Sequence, residues 1–317
     1  MVANKSKRVP GSKEEGKALR RRRIIGENIL GTCMAAPPFL AFVFFSVIPM
    51  AVSLVVSFMD LHGVVVSTAR PVGLENYKKL LQDPTTYTSL VNTAKYCIHV
   101  VFNLVMAVFL ANMLANKKVL GKAAIRVVYF IPAVIPGVAA TVMWSWIFNE
   151  NFGMINQALT ALGLGTFHPY TNPSHFMIAV WILRLWIGGT NIVLLQSAFA
   201  SVNKSLQEAA RVDGATERQV FWKITLPQVS PTIFYLLVTN FVAAAQEMDT
   251  LQVFANNTVG PGENALVVAY YLQRMIGAEL QTKGYGMSCA MSWMYSILLI
   301  IITRIGFKIS DKVVSYD

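Results

Sequence analysis

Six stretches free of Asp, Glu, Lys and Arg dominate this sequence, and their lengths leave few folds open. They lie between Glu27 and Asp60 (32 residues), Lys95 and Lys117 (21), Arg126 and Glu150 (23), Arg184 and Lys204 (19), Lys223 and Glu247 (23), and Lys283 and Arg304 (20). A bilayer core about 30 Å thick takes about 20 apolar helical residues to cross, and each such run satisfies its backbone there only as a helix. Trimmed to their apolar cores, the spans fall near 30–58, 90–115, 126–148, 176–201, 228–254 and 286–306. The 33-residue gap between Glu150 and Arg184 is also uncharged. Asn151, Gly153, Asn156, Gly163, Gly165, Pro169, Asn172 and Pro173 interrupt it, so it reads as a loop.

Charged residues make up 14% of the 317, against about 25% in soluble domains, which excludes an ordinary soluble globule and a disordered chain alike. The basic residues sort by side: nine before residue 28, four in 116–126, four in 202–227 and three from Arg304 onward. The alternate loops hold five, Arg70, Lys78, Lys79, Arg274 and Lys283. Cytoplasmic loops carry the excess of Lys and Arg, so the expectation is an all-α, polytopic membrane helix bundle of six transmembrane helices with both termini cytoplasmic. Residues 1–28 read as a basic cytoplasmic tail, 29–310 as the membrane domain and 311–317 as a short cytoplasmic tail.

Several chemistries fall away. Arg20–Arg23 serve the orientation rule rather than nucleic acid. Gly11, Gly16 and Lys17 have the spacing of a phosphate loop, yet Ala18 stands where a magnesium-binding hydroxyl is needed and no strand precedes it. His62, His99, His168 and His175 are scattered, and the chain lacks HExxH and GxSxG motifs. Cys33, Cys97 and Cys289 sit in apolar stretches as packing residues, and Cys33 lies at the wrong end of its run for a lipid-modified cysteine. The first run is too long for a cleaved signal and lacks a small-residue cleavage site. Neither an enzyme nor a metal or cofactor site is expected in this chain.

The loop 202–227 is the informative one. Ser205 and Glu208 have capping-box spacing, and Gly214 suits the left-handed end of a short helix. Thr216 and Gln219 cap a second helix through Val220, Phe221, Trp222 and Ile224, ending near Pro227. Its apolar residues, among them Leu206, Val212 and Trp222, either pack beneath the bundle or offer a docking face to a soluble partner.

Glu208, Ala209, Ala210, Asp213, Gly214, Ala215, Ile224, Leu226 and Pro227 closely resemble the EAA loop of membrane subunits of binding-protein-dependent ABC importers, most like the maltose-type sugar permease family. Arg126–Pro132, GMINQALTALG at 153–163 and GPGEN at 260–264 extend the resemblance over roughly 30–310. Val202 with Asn203 replace the family's Ile-Pro pair, and Val259 replaces a third glycine.

The resemblance implies a type I ABC importer permease in a prokaryotic cytoplasmic (inner) membrane. Its partners would be a second homologous permease subunit, a cytoplasmic ATPase dimer holding the ATP and Mg, an extracytoplasmic substrate-binding protein and a sugar. Glu208 would meet the ATPase, Ala209 and Ala210 would allow close approach, and Asp213, Gly214, Ala215, Leu226 and Pro227 would shape the coupling element.

Charged groups deep in a span cost about 2.5–3.5 kcal/mol on insertion scales and face protein or a cavity. Arg184, Glu247 and Asp249 lie at similar depth at about 1.5 Å per residue. They read either as an ion pair tying two helices or as a polar wall of the translocation path. Asn240 and Glu247 share a helical face, and Asn191 follows Gly188 and Gly189. Trp144, Trp146, Trp186, Trp293, Tyr285 and Tyr295 are aromatic surfaces suited to sugar rings, and Trp186 joins Arg184, Asn191, Asn240, Glu247 and Asp249 in the candidate pathway. Pro37, Pro38, Pro49, Pro132 and Pro136 permit kinks. Two alternatives remain: an ABC permease for another solute such as glycerol phosphate or a polyamine, and an ion-coupled secondary transporter using Glu247 and Asp249.

Overall fold

The computed structural model describes residues 31–62, 69–115 and 121–313. The Arg20–Arg23 run, the phosphate-loop lookalike, residues 314–317 of the carboxyl tail and Lys117 and Lys118 lie outside the described residues. The chain divides into two compact units between Val56 and Ser57. The first holds all but the last residue of α1, Gly31–Ser57, which loosens into a π turn over Val43–Val47.

The second unit begins with a two-stranded antiparallel ribbon, β1 (Met59–Asp60) and β2 (Arg70–Pro71). It continues through α2 (Glu75–Gln82), α3 (Pro84–Ala115), α4 (Lys122–Val134), α5 (Gly137–Ile147), α6 (Met154–Ala161), α7 (Pro173–Ile187) and α8 (Gly189–Ser201). Then come α9 (Lys204–Val212), α10 (Glu217–Ala245), α11 (Asp249–Phe254), α12 (Val268–Ile276) and α13 (Leu280–Val313). The helix α3 is central, packing against α7, α8, α10 and α12. Its buried stripe of Tyr96, Val100, Leu104, Ala107, Ala111 and Leu114 advances by threes and fours. Ile98, Val101, Phe102, Val105 and Phe109 point outward and stay exposed. One core gathers around Tyr96, Phe148, Phe176, Phe254, Tyr271 and Met291, and a second around Leu110, Ile192, Leu195, Phe199, Val229 and Leu236.

Among the described residues, four helices are each long and apolar enough to cross a membrane: α1, α3, α10 and α13. The expected spans 126–148 and 176–201 exist only as bent pairs, α4 with α5 at 107° and α7 with α8 at 47°. The first bend follows from Pro136, which drives Ile135 out of the helical region to ψ 129°. The second occurs at Gly188 and Gly189, where a Cβ would lie 1.7 Å from Asn103 Oδ1 and 2.0 Å from the Tyr129 carbonyl oxygen respectively. Glycine is what lets the Tyr129 backbone and the Asn103 side chain come so close to this bend.

The expected span 228–254 also needs correction, because α10 stops at Ala245 and a new helix starts at Asp249. Glu247 accounts for the restart: its Oε1 accepts from the Thr250 amide at 3.1 Å and the Thr250 hydroxyl at 3.0 Å, in the manner of a helix cap. At the other end α10 begins much earlier than expected. It runs unbroken from Glu217 through Pro227, so the second loop helix is the first part of the next long helix. Pro227 is absorbed by a π turn over Phe221–Thr225, which opens the spiral where a proline ring would strike the preceding turn.

Cys33, Cys97 and Cys289 are free thiols.

Candidate functional site

The bend between α7 and α8 frees backbone groups, and their new partners define a polar site. Gly188 donates its amide to Leu185 O, which releases the Arg184 carbonyl from the helical ladder. Asn103 Nδ2 takes that carbonyl at 2.9 Å from α3. Arg184 itself turns toward the break after α10: its Nη2 donates to Glu247 Oε2 at 3.1 Å and its Nη1 to Thr250 Oγ1 at 3.4 Å. The guanidinium also lies over the Tyr96 ring, 5.7 Å from its centroid, an orientation in which the ring face attracts the cation. With side chains only 19% and 23% exposed, Arg184 and Glu247 form a shielded, charge-neutral pair.

Two helical turns further along, Asn240 Nδ2 donates to Asn191 Oδ1 at 3.1 Å, joining α10 to α8. Between the ion pair and the amide pair lies a cavity of about 160 Å3, with His99, Asn103, Arg184, Thr190, Asn191 and Asn240 as its polar lining. Asn103 Oδ1 is buried there without a hydrogen-bond partner, so an acceptor is left available at the wall. The cavity is therefore built for hydrogen bonding by neutral amides, a hydroxyl and an imidazole rather than by free charge.

Of the residues singled out in the sequence, Arg184, Asn191, Asn240 and Glu247 come together here. Asp249 does not: it opens α11 with its side chain exposed. Trp186 turns away to stack edge-on with Trp144, ring centroids 5.8 Å apart, and does not line the cavity. His99 and Asn103 were missed. Their four-residue spacing on α3 puts them on one face, a signal hidden by the surrounding apolar residues.

The loop after α8 forms a second site. Asn203, rather than the expected Ser205 and Glu208 box, caps α9: its Oδ1 accepts from the Ser205 amide at 3.0 Å. An Asn at this position is shorter than Glu and already beside the orphan amides. Ala215 N bonds Ala210 O at 2.9 Å and Gly214 adopts φ +85°, closing α9 in a left-handed cap. Thr216 and Gln219 form the expected reciprocal box at the start of α10. Glu208, Ala209 and Asp213 face outward, Ala210 and Ala215 are half-buried, and Leu226 and Pro227 lie half-buried where α10 enters the core. The Glu208 carboxylate takes no hydrogen-bond partner among the described residues. Val212, one turn further along α9, and Trp222 on α10 expose 88% and 59% of their surface, so the loop presents an acid together with exposed apolar groups. Behind the loop a larger cavity of about 1090 Å3 extends to the ends of α3 and α8.

At the opposite end of α3, Asp83 is a polar knot. Its Oδ2 accepts from the Tyr271 hydroxyl at 2.7 Å and pairs with Lys283, and its Oδ1 accepts from the Thr85 amide at 2.9 Å. Burial alone would raise its pKa, but the bonds from Lys283, Tyr271 and Thr85 outweigh it and hold the carboxyl at about 2.

A charged pair at a broken helix and a polar cavity among long apolar helices are the features of a membrane transport component. The chain matches the family model described as "Binding-protein-dependent transport system inner membrane component" over residues 103–314, and it belongs to that family. It is 31% identical to "Probable ABC transporter permease protein YesP" of Bacillus subtilis (strain 168), over 93% of this chain and 95% of the relative. It is 29% identical to "Arabinooligosaccharides transport system permease protein AraP" of Halalkalibacterium halodurans, over 90% and 91%. A 33% identity links it to "sn-glycerol-3-phosphate transport system permease protein UgpA" of Yersinia pestis, over 78% and 82%. In fold it resembles a bacterial ABC transporter involved in the import of the acidic polysaccharide alginate, with TM-score 0.77, 21% identity and coverage of 93% and 100%.

Proposed function

We propose that this chain is one permease subunit of an ABC importer for a neutral sugar or oligosaccharide. It crosses the membrane six times with both termini cytoplasmic, the bent pairs α4–α5 and α7–α8 each serving as one span. Residues 1–28 form a cytoplasmic tail, 29–310 the permease domain and 311–317 a second tail, with 202–227 as the coupling loop. A homologous subunit completes the path, an ATPase dimer supplies ATP hydrolysis with its own Mg, and an extracytoplasmic binding protein delivers the solute. A relative in fold is described in complex with an alginate pentasaccharide-bound periplasmic protein, which supports the last partner.

The observation that carries the coupling role is the continuity of α10, from the elbow at Glu217 to Ala245 beside the Arg184–Glu247 pair. Motion of the loop reaches the cavity through one helix, without a joint that dissipates it. Arg184, Asn191, Asn240 and Glu247 would then line the solute path. The solute class follows from their charge. Glu247 already neutralises Arg184, so the wall offers amides and a hydroxyl to sugar hydroxyls and no free cation to a phosphate. The same pairing weakens the ion-coupled alternative, since Glu247 is engaged and Asp249 faces outward.

The test is photocrosslinking from position 208 in intact cells. Capture of a nucleotide-hydrolysing subunit is expected, and its absence while the chain remains in the membrane overturns the coupling role. Uptake by this chain alone under an ion gradient would overturn the importer reading altogether.

A further inference from the structure

Two side-chain ties span the Gly214 turn. In one, Gln207 Nε2 donates to Thr225 Oγ1 at 3.2 Å. In the other Arg211, in the last turn of α9, meets Glu217, the first residue of α10. Arg211 Nε donates to Glu217 Oε1 at 2.7 Å and Nη2 to Oε2 at 3.1 Å. Both oxygens of the carboxylate are thus held by one edge of the guanidinium, which fixes orientation as well as separation.

The local caps set where each helix ends, but they leave the torsions at Gly214 and Ala215 to choose the angle between them. A Cβ at Gly214 would touch nothing within 4 Å, so no side-chain contact at the turn itself holds those torsions. The two ties across the turn hold them, and of these only the fork acts through two parallel bonds. Both side chains are well exposed, at 42% and 77%, and exposed pairs add little to stability, so the contribution of this one is geometric. Glu208 lies one turn before Arg211 on α9, and its charge acts on the same guanidinium. Held by Glu217, Arg211 is kept from folding back over Glu208.

We propose that the Arg211–Glu217 fork is a positioning clasp that fixes the angle between α9 and α10, so that displacement of the loop passes into α10 instead of being lost at Gly214. The proposal rests on the coupling role of the loop and names the residues that make the elbow rigid.

The test uses the full chain in lipid nanodiscs with spin labels at Leu206→Cys on α9 and Tyr235→Cys on α10, both exposed positions, after replacement of the native cysteines by serine. Pulsed electron resonance should give one narrow distance peak. Arg211→Glu and Glu217→Arg should each lose it, Arg211→Lys should broaden it by keeping charge without the fork, and the exchanged pair Arg211→Glu with Glu217→Arg should restore it. Single reversals with an unchanged peak, or an exchanged pair that stays broad, overturn the clasp. Capture of the ATPase subunit by the unmutated chain is scored separately. Failure there removes the coupling role, while the distance measurement still decides the clasp.

Discussion

Arg184 and Glu247 stand 63 positions apart in the chain, yet Nη2 of the one and Oε2 of the other lie 3.1 Å apart at the meeting of two helix breaks. Each break makes the other affordable. The α7 bend exposes a carbonyl that Asn103 takes, and the end of α10 exposes the Ala245 carbonyl, which the Tyr295 hydroxyl takes at 2.6 Å. Ionisable groups sit there because the backbone has already given up its regular bonding and needs polar partners.

Breaking the pair from one side should therefore cost more than removing both halves. Glu247→Gln leaves Arg184 shielded and uncompensated, at an expected cost of about 1–3 kcal/mol, read as a lower melting temperature in detergent. The double variant Arg184→Gln with Glu247→Gln should recover part of the loss. A double variant as unstable as the sum of the singles would show that the two groups do not interact.

Substitution at Gly214 isolates coupling from folding. The residue has φ +85° with open space around it, so Gly214→Val meets backbone strain of order 1–3 kcal/mol and no clash. Membrane insertion should be normal and ATP-driven uptake in reconstituted vesicles should fall sharply, with Gly214→Asn milder because Asn tolerates the left-handed region. Uptake unchanged in the Val variant would contradict a rigid elbow.

Gly188 and Gly189 should separate by what opposes the new methyl group. At Gly188 the obstacle is the Asn103 side chain, whereas at Gly189 it is the Tyr129 backbone carbonyl. Gly189→Ala should lower stability by about 1–3 kcal/mol and reduce the yield of folded protein. Gly188→Ala should be better tolerated when combined with Asn103→Ala, and equal yields for Gly188→Ala and Gly189→Ala would count against this packing.

The Asp83 knot sets an acid limit. Its folded pKa of about 2 lies below the ordinary aspartate value of 3.8, so the ionised form contributes stability that is fully present above about pH 4 and is lost as pH falls toward 2. Lys283→Met removes a bond that lowers this pKa and should shift the acid transition upward. Melting temperatures measured between pH 2 and 6 should show that shift, and Asp83→Asn should flatten the dependence by removing this contribution.

The membrane class and the helix–turn–helix elbow at Gly214 were legible from local sequence alone. Uncharged runs of about 20 residues report the solvent, because a charge in hydrocarbon is costly wherever it sits, and the turn at Gly214 with the Thr216–Gln219 box depends only on residues within one or two turns. The cap of α9 was misread as Ser205 with Glu208 because Asn203 competes for the same amides, and backbone entry angle decides between them.

What the tertiary structure alone decided was where helices break and which polar groups meet. Pro136 and the Gly188–Gly189 pair mark where the chain can kink, but the bend angles of 107° and 47° are seen only in the folded chain. Nothing local to residue 247 says that its carboxylate faces Arg184 while that of Asp249 faces outward, because one helix break rotates the second away from the first. Hydrophobicity is a property of residues and can be read one position at a time. A cavity is a property of three or four helices at once, and only their packing assembles Asn103, Arg184, Asn191 and Asn240 around it.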